Sequence, residues 1–325
     1  MGTYILRRLI IGAITLWGIS VLVFVLIRMM PGDVASMAQL GIEDPKAAAV
    51  MAERIRKQYH LDEPIPVQYG MWFSDVLRGD FGSSYQDGRP VVGKIVERLP
   101  ATASLATLSV LLGLAAAIPL GILQAVKQDS WFDRGTGVFF YALYAIPSYV
   151  MAVILVYWIG VQWDLLPFRG MTSDGFDQLG LVGKVKDLGA HFALITFCFT
   201  YASVAFDSRF ARGNLLEVLR QDFVRTARAK GLPERTVVLK HAFRNTFIPL
   251  LTRLGSLIPH LISGSVILEV IFNWPGLGRL FFEGIVSRDY PIMMAAIMVS
   301  STLVLVGILL ADIAYAWADP RISYA

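Results

Sequence analysis

Charged residues and cysteine are both scarce in this sequence, and each shortage restricts what the protein can be. Charged residues make up 17% of the 325 residues, whereas an average soluble domain contains about 25%. Cys198 is the single cysteine, which excludes an internal disulfide and any cysteine-based metal cluster. The net charge is only +4, and the basic residues lie between apolar runs, so we expect no nucleic-acid partner.

Catalytic and metal-binding patterns are also missing. The sequence has neither the HExxH pattern of zinc peptidases nor the GxSxG pattern of serine hydrolases. Its four histidines are far apart in the chain, so no metal site is predicted. The phosphate-binding pattern GxxxxGK[ST] is nearest at Gly183-Lys184, where Gln178 stands in place of the first glycine. We therefore expect no catalytic residue and no bound nucleotide in this chain.

Apolar residues, which make up 55% of the chain, are concentrated in runs long enough to cross a bilayer. A crossing helix needs about 20 such residues. Six runs qualify, at residues 9–27, 101–126, 135–163, 188–206, 245–268 and 291–311. The first run is longer than the apolar part of a cleaved signal peptide, so we expect it to remain a span. The sequence thus predicts an all-α integral membrane protein with six transmembrane helices.

Basic residues indicate which loops face the cytoplasm. Residues 207–247 hold nine Lys and Arg against four Asp and Glu, and the positive-inside rule places such a loop in the cytoplasm. Six spans then put both termini in the cytoplasm and make residues 31–98 a large extracytoplasmic insert. The predicted organisation is an N-terminal segment with the first span at 1–30, the insert at 31–98, and a core of five spans at 99–325.

Three local patterns occur within the insert. Apolar residues at helical spacing predict a helix over residues 45–59. The glycine-rich cluster at 79–84 is typical of a turn. Residues 91–99 carry an apolar stripe beside charged residues, which predicts a short helix lying in the membrane interface before the second span.

The basic loop contains two predicted helices separated by a sharp corner. Apolar residues recur at helical spacing from Leu215 to Ala227. Gly231 can adopt the left-handed conformation that ends a helix, and Pro233 suits the first turn of the next. The predicted apolar face of that second helix comprises Val237, Val238 and Ala242. Such a segment offers an apolar side for docking and a basic side for pairing with carboxylates. The alternative is a basic loop that only sets topology, but that role requires no paired amphipathic helices.

Three residues within or directly beside predicted spans are candidates for a transport pathway. His260 is the most deeply placed ionisable residue, and Glu269 lies near an outer span end. Ionisable groups within a bilayer usually face a cavity or a partner. Pro147 is expected to kink the third span. The alternatives to a transport role are a structural hydrogen bond between helices for His260 and a position in the membrane–water interface for Glu269.

Short motifs follow one another in a fixed order along nearly the whole chain. They are Arg7-Arg8, Pro31-Gly32-Asp33, Gly79-Asp80-Phe81-Gly82-Ser83-Ser84, Arg98-Leu99-Pro100-Ala101-Thr102, the segment 222–231, Arg244-Asn245-Thr246-Phe247-Ile248-Pro249, Phe272-Asn273-Trp274-Pro275-Gly276-Leu277-Gly278, Asp289-Tyr290-Pro291 and Asp319-Pro320-Arg321. Together they resemble the B-type permease subunits of dipeptide, oligopeptide and nickel ABC importers. One departure is Arg225, where the general importer loop carries glutamate, so a carboxylate contact is not expected there.

The resemblance implies the fold, the location and the partners. It implies a type I importer permease in the cytoplasmic (inner) membrane of a bacterium or archaeon. Expected partners are a second permease of different sequence, two cytoplasmic ATPases that bind ATP and magnesium, and an extracytoplasmic solute-binding protein. The expected reaction is import of di- and oligopeptides by alternating access, with nickel chelates, glutathione and oligosaccharides as alternatives. The alternative from a different functional class is an ion-coupled transporter. Such a protein would be expected to have more carboxylates within its membrane spans than this sequence contains.

The resemblance also assigns two groups of site residues. The ATPase-coupling segment comprises Asp222, Arg225, Thr226, Ala227, Arg228, Ala229, Lys230, Gly231, Leu232 and Pro233. The outer gate or docking surface for the binding protein comprises Pro31, Gly32, Asp33, Gly79, Asp80, Phe81, Gly82, Phe272, Asn273, Trp274, Pro275 and Gly276. The aromatic residues near 272–274 look exposed in sequence, and an interfacial aromatic belt is the alternative reading for them.

Overall fold

The computed structural model describes residues 2–29, 45–58, 60–246 and 266–318. These residues are almost entirely helical, and the β-structure within them is an isolated bridge between Ser83 and Pro90. The predictions for Pro31, Gly32, Asp33 and His260, and most of the predicted span at 245–268, lie outside the described residues.

Twelve α-helices are numbered here in chain order within the described ranges. They are α1 (Gly2–Met29), α2 (Pro45–Gln58), α3 (Ile65–Leu77), α4 (Val91–Val126), α5 (Trp131–Tyr144), α6 (Ser148–Leu155), α7 (Leu181–Leu219), α8 (Asp222–Ala229), α9 (Glu234–Thr236), α10 (Val266–Ile271), α11 (Leu277–Val286) and α12 (Tyr290–Ala318). Helix α6 continues as a π-helix over Val156–Gln162, and α9 does so over Val237–Ala242.

Four helices are long and apolar enough to cross a membrane. They cover Tyr4–Met29, Val91–Val126, Leu181–Leu219 and Tyr290–Leu310. These ranges include the predicted runs at 9–27, 101–126 and 188–206 and nearly all of 291–311. The structure therefore confirms an all-helical membrane protein, with four such helices and a fifth candidate in the described part of the chain.

The fifth candidate is a bent pair rather than a straight helix. Helices α5 and α6, with its π-helical extension, pass the same test together but are bent by 92° between Tyr144 and Ser148. Pro147 has an extended ψ of 140° and immediately precedes α6. Proline lacks an N–H and disfavours helical geometry in the residue before it, so α5 ends ahead of Pro147, at Tyr144. The predicted kink at Pro147 is confirmed, and it is much sharper than a bend within one helix.

The predicted interfacial helix at 91–99 is wrong. Helix α4 runs without interruption from Val91 to Val126. Its first turns pack against protein, since Val91 and Ile95 are buried in a cluster with Leu280 of α11 and Ile292 of α12. The apolar stripe that suggested contact with lipid is the face that packs against these two helices.

The described residues divide into two compact units. The first comprises residues 2–29, 45–58, 60–102, 266 and 275–306, and the second comprises residues 103–246, 267–274 and 307–318. In the first unit, Phe24 of α1 shares an apolar cluster with Tyr69 and Trp72 of α3 and Tyr290 of α12. This cluster attaches α3, part of the predicted insert, to two membrane-length helices.

The second unit is organised around α7. Both α5 and α6 pack against it, and its inward side chains, among them Ile195, Cys198 and Tyr201, are almost fully buried. Tyr201 also donates a hydrogen bond from its hydroxyl to the backbone carbonyl of Ile146. That carbonyl lies at the break before Pro147, so α7 satisfies a polar group that the break exposes.

Candidate functional site

The corner in the basic loop has the predicted conformation. Helix α8 ends at Ala229, and Gly231 has a φ of 75°, a left-handed conformation that glycine adopts without a steric penalty. Its N–H donates to the Arg228 carbonyl at 2.9 Å. Pro233 then precedes α9 as its N-cap, so it lies one position before the helix rather than in its first turn.

The inner side of this corner is a small apolar core. Val224 and Ala227 of α8 are buried together with Val237, Val238 and Ala242 of the second arm, and these residues pack on Leu215 of α7. The predicted apolar face over 237–242 is confirmed. A continuous helix from Leu215 to Ala227 is wrong, because α7 ends at Leu219 and Gln221 is extended, with a ψ of 153°.

That break lets α8 fold back so that its apolar side and α7 share one cluster. Within the predicted coupling segment, Ala227 is therefore an internal packing residue with 6% of its surface exposed. The remaining members lie at the surface, and they are Asp222, Arg225, Thr226, Arg228, Ala229, Lys230, Gly231, Leu232 and Pro233. The segment thus has one buried apolar side and one exposed polar side.

An ion pair spans the corner. The Arg228 guanidinium donates from Nε to Glu234 Oε2 at 3.1 Å and from Nη2 to Oε1 at 2.6 Å. The pair lowers the pKa of the Glu234 carboxyl and raises that of Arg228, chiefly through these hydrogen bonds. Both side chains are about half exposed, so the pair stabilises the corner by no more than about 1 kcal/mol.

A second ion pair, which sequence reasoning missed, joins α5 to α7. Arg212 donates to the two carboxylate oxygens of Asp133 at 2.8 and 2.6 Å, and Asp133 is 93% buried. The backbone N–H of Asp129 donates to the same carboxylate at 3.0 Å. The two residues are 79 positions apart in the chain, so no local pattern links them. The only sequence signal was the position of each residue beside an apolar run.

In the first unit, the predicted turn at 79–84 is confirmed. Gly79 and Gly82 have φ values of 78° and 81°, and the Gly82 N–H donates to Asp80 Oδ1 at 2.8 Å. Asp80 is exposed, and Phe81 and Gly82 are half-buried. These residues are therefore held in a defined loop with their polar side towards solvent.

Two of the quoted motifs meet at a buried carboxylate. Ser84 Oγ donates to Asp289 Oδ2 at 2.5 Å, and the Tyr85 N–H donates to the same oxygen at 3.0 Å. Lys94 Nζ lies 3.0 Å from Ser84 Oγ and 2.9 Å from an Asp87 carboxylate oxygen. Burial raises the pKa of the Asp289 carboxyl, although the hydrogen bond from Ser84 and the charge of Lys94 act in the opposite direction.

The loop at 272–276 differs from its prediction. Phe272 and Trp274 are 2% and 0% exposed, and the Trp274 ring meets Phe192 edge-on with centroids 4.6 Å apart. The expectation of exposed aromatic rings, and with it an interfacial belt, is wrong because both rings fill the interior of the second unit. Asn273, with a φ of 50°, is the exposed member of this turn.

Glu269 is also internal. It lies in α10 and none of its surface is exposed, so the interfacial alternative is wrong. Its backbone carbonyl accepts from the Trp274 N–H at 2.8 Å, which places it directly below the 272–274 turn. Pro147 lies at the bend between α5 and α6.

Comparison with known proteins covers the whole chain. Residues 117–324 match the family described as the binding-protein-dependent transport system inner membrane component, and residues 1–106 match the N-terminal region of such membrane components. The chain is 39% identical over 325 residues to the oligopeptide transport system permease protein AppB of Bacillus subtilis, covering 100% of both.

Two further relatives also align over their full lengths. The probable peptide ABC transporter permease protein y4tP of Sinorhizobium fredii is 37% identical over 324 residues, with 100% of both chains covered. The glutathione transport system permease protein GsiC of Escherichia coli is 34% identical over 324 residues, again with 100% of both covered. With its membrane-length helices and full-length matches, the chain belongs to the family of binding-protein-dependent transport system inner membrane components.

Proposed function

We propose that this chain is the translocation subunit of an ATP-driven importer of di- and oligopeptides. One observation carries the proposal: the segment 222–242 buries its apolar side against α7 and leaves its polar, basic side exposed. A segment fixed to a membrane-length helix on one side and open on the other is suited to pass movement from a soluble partner into the membrane. Relatives named as oligopeptide and peptide permeases support the cargo.

Two cytoplasmic ATPases, which bind ATP and magnesium, drive the cycle in this proposal. One of them contacts the exposed side of the coupling segment, from Asp222 to Pro233. Its displacement reaches α7 through the contact of Val224 and Val237 with Leu215. Because protein interiors are close-packed, such a cluster moves as a block rather than deforming.

The topology in this proposal has six crossings. The bent pair of α5 and α6 counts as one crossing, and residues 245–268 supply another. Both termini and the loop 207–247 then lie in the cytoplasm, as the excess of basic residues in that loop supports. Residues 31–98 form an extracytoplasmic insert between the segment 1–30 and the core 99–325, in the cytoplasmic (inner) membrane of a bacterium or archaeon.

The outer surface receives the solute-binding protein in this proposal. The loop from Gly79 to Gly82, in which Gly79 and Asp80 are exposed, and the exposed Asn273 are suited to this contact. The buried Glu269, beneath the 272–274 turn, and Pro147, at the bend, are candidates for the gate and the pathway. A second permease of different sequence completes the pathway.

Glutathione is the second candidate cargo, since the chain is 34% identical to a glutathione permease. Glutathione is itself a small peptide, so the same kind of pathway would accept it.

The proposal is tested by purifying the full-length chain with a tag and identifying its companions. ATP hydrolysis is then measured in lipid, with and without a binding protein loaded with peptide or with glutathione. Co-purification of a second permease and ATPases, with hydrolysis raised by the loaded binding protein, is the expected result. A chain that purifies alone, or hydrolysis that ignores the binding protein, would contradict the proposal.

A further inference from the structure

A cavity of about 480 Å³ opens between α5 and α7 in the second unit. It lies within the range of about 300–1,000 Å³ that small-molecule sites occupy. Six of its lining residues are Phe140, Tyr141, Tyr144, Phe206, Arg209 and Phe210. Tyr141, Tyr144 and Phe206 are each about half exposed, so the aromatic walls are open to whatever surrounds the helices.

The guanidinium of Arg209 is held in a defined place beside this cavity. It lies 3.8 Å from the centroid of the Tyr141 ring, a cation–π contact. It also occupies the space above Gly137, where a β-carbon would come within 2.9 Å of Nη2. Glycine at this position thus makes room for the guanidinium.

Arg209 differs from its neighbour Arg212 in having no carboxylate at salt-bridge distance among the described residues. Asp133, which interacts with Arg209 only through its charge, accepts hydrogen bonds on both carboxylate oxygens from Nε and Nη2 of Arg212. An arginine fixed over a ring still has hydrogen-bond donors along its free edge, and these match the geometry of a phosphate. The cavity therefore combines one positive group with walls suited to an apolar chain.

We propose that this cavity binds an anionic phospholipid, with the headgroup phosphate at Arg209 and an acyl chain along the aromatic walls. Basic pockets between membrane helices are sites where anionic headgroups bind. Arg209 begins the basic loop 207–247, so the lipid belongs to the cytoplasmic leaflet; this assignment rests on the proposed topology.

The test uses the full-length chain purified with the subunits that accompany it. Native mass spectrometry counts bound lipid during titration with phosphatidylglycerol and, separately, with phosphatidylcholine. Three variants are compared with the wild type: Arg209→Gln removes the phosphate ligand, Gly137→Ala displaces it without changing charge, and Arg134→Gln is the matched control. Arg134 is an exposed residue of α5 that does not line the cavity.

We expect tighter binding of phosphatidylglycerol than of phosphatidylcholine by the wild type. Arg209→Gln should weaken phosphatidylglycerol binding about fivefold, the effect of one basic residue at a membrane surface. Gly137→Ala should cause a smaller loss, and Arg134→Gln none. Melting temperatures of all variants verify folding, and Gly137→Ala favours the helix, so a lost site is distinguished from a lost fold.

Three outcomes would overturn the inference. They are equal losses in Arg209→Gln and Arg134→Gln, full competition by inorganic phosphate, and binding that appears only when the second permease is removed. The last would show that this face contacts a protein subunit. The titration uses neither ATP nor peptide, so lipid binding can be measured even if the importer proposal fails. Such a failure would change only the assignment of the lipid to the cytoplasmic leaflet.

Discussion

Substitution of Gly231 tests whether the corner between α8 and α9 transmits force to the membrane helices. Its φ of 75° lies in the left-handed region, where an alanine costs about 1–2 kcal/mol. A β-carbon at this position would meet no atom within 4 Å, so the penalty comes from the backbone alone. Asparagine tolerates this conformation better than alanine and is the matched control.

This penalty is large compared with what holds the corner together. The exposed Arg228–Glu234 pair contributes no more than about 1 kcal/mol. A cost of 1–2 kcal/mol changes a two-state ratio by about 5–30-fold, so Gly231→Ala should leave the corner partly unfolded or bent differently. Gly231→Arg adds a long charged side chain on the exposed side and should also block the contact with the ATPase.

The assay is peptide uptake per ATP hydrolysed in proteoliposomes. Gly231→Ala should lower this ratio, Gly231→Arg should abolish uptake, and Gly231→Asn should stay near the wild type. Yield and gel filtration of each variant check insertion into the membrane. Normal uptake by Gly231→Arg would refute the coupling role, and equal losses for alanine and asparagine would refute the backbone argument.

Three further predictions concern buried groups. Asp133→Asn should lower stability by about 3–5 kcal/mol, because it leaves Arg212 without its counter-charge, and thermal melting that matches the wild type would contradict this. Trp274→Ala should lower stability by a similar amount, because it leaves a cavity beside Phe192. Unchanged stability together with weaker binding of the solute-binding protein would show that Trp274 acts in docking and not in packing. Burial raises the pKa of Asp289 when Ser84 and Tyr85 are packed against it. This contact is therefore most stable at pH values below the ordinary carboxyl pKa, and it weakens as pH rises through the raised pKa. Hydrogen exchange at Tyr85, corrected for the intrinsic rate, should show this dependence and lose it in Asp289→Asn; the same slope in both proteins would disprove the assignment.

Local signals predicted much of the membrane region and of the coupling segment. Apolar runs of bilayer length located four helices, because a lipid-facing helix carries its own signature. Gly231 and Pro233 marked the corner, because few residues other than glycine adopt a left-handed conformation readily. The buried face at Val237 and Val238 followed from helical spacing alone.

The errors came from contacts between distant parts of the chain. Trp274 looked exposed because turn formers surround it, yet the ring fills a space beside Phe192. The stripe beginning at Val91 looked suited to lipid, but α11 and α12 cover it. The Asp133–Arg212 and Ser84–Asp289 contacts join residues 79 and 205 positions apart, so no local pattern could reveal them.

The bend at Pro147 also solves a problem of length. The uncharged run at 135–163 would measure about 43 Å as one straight helix, well beyond a hydrocarbon core of about 30 Å. Split by a near-right angle, the arms of 14 and 15 residues are each about 21–22 Å long, too short to cross alone. Their outer ends nevertheless lie about 30 Å apart by the geometry of a right angle. In the proposed topology, in which the pair is one crossing, each arm is inclined by about 45° to the bilayer normal, and the overlong apolar segment spans the hydrocarbon core without local thickening of the lipid.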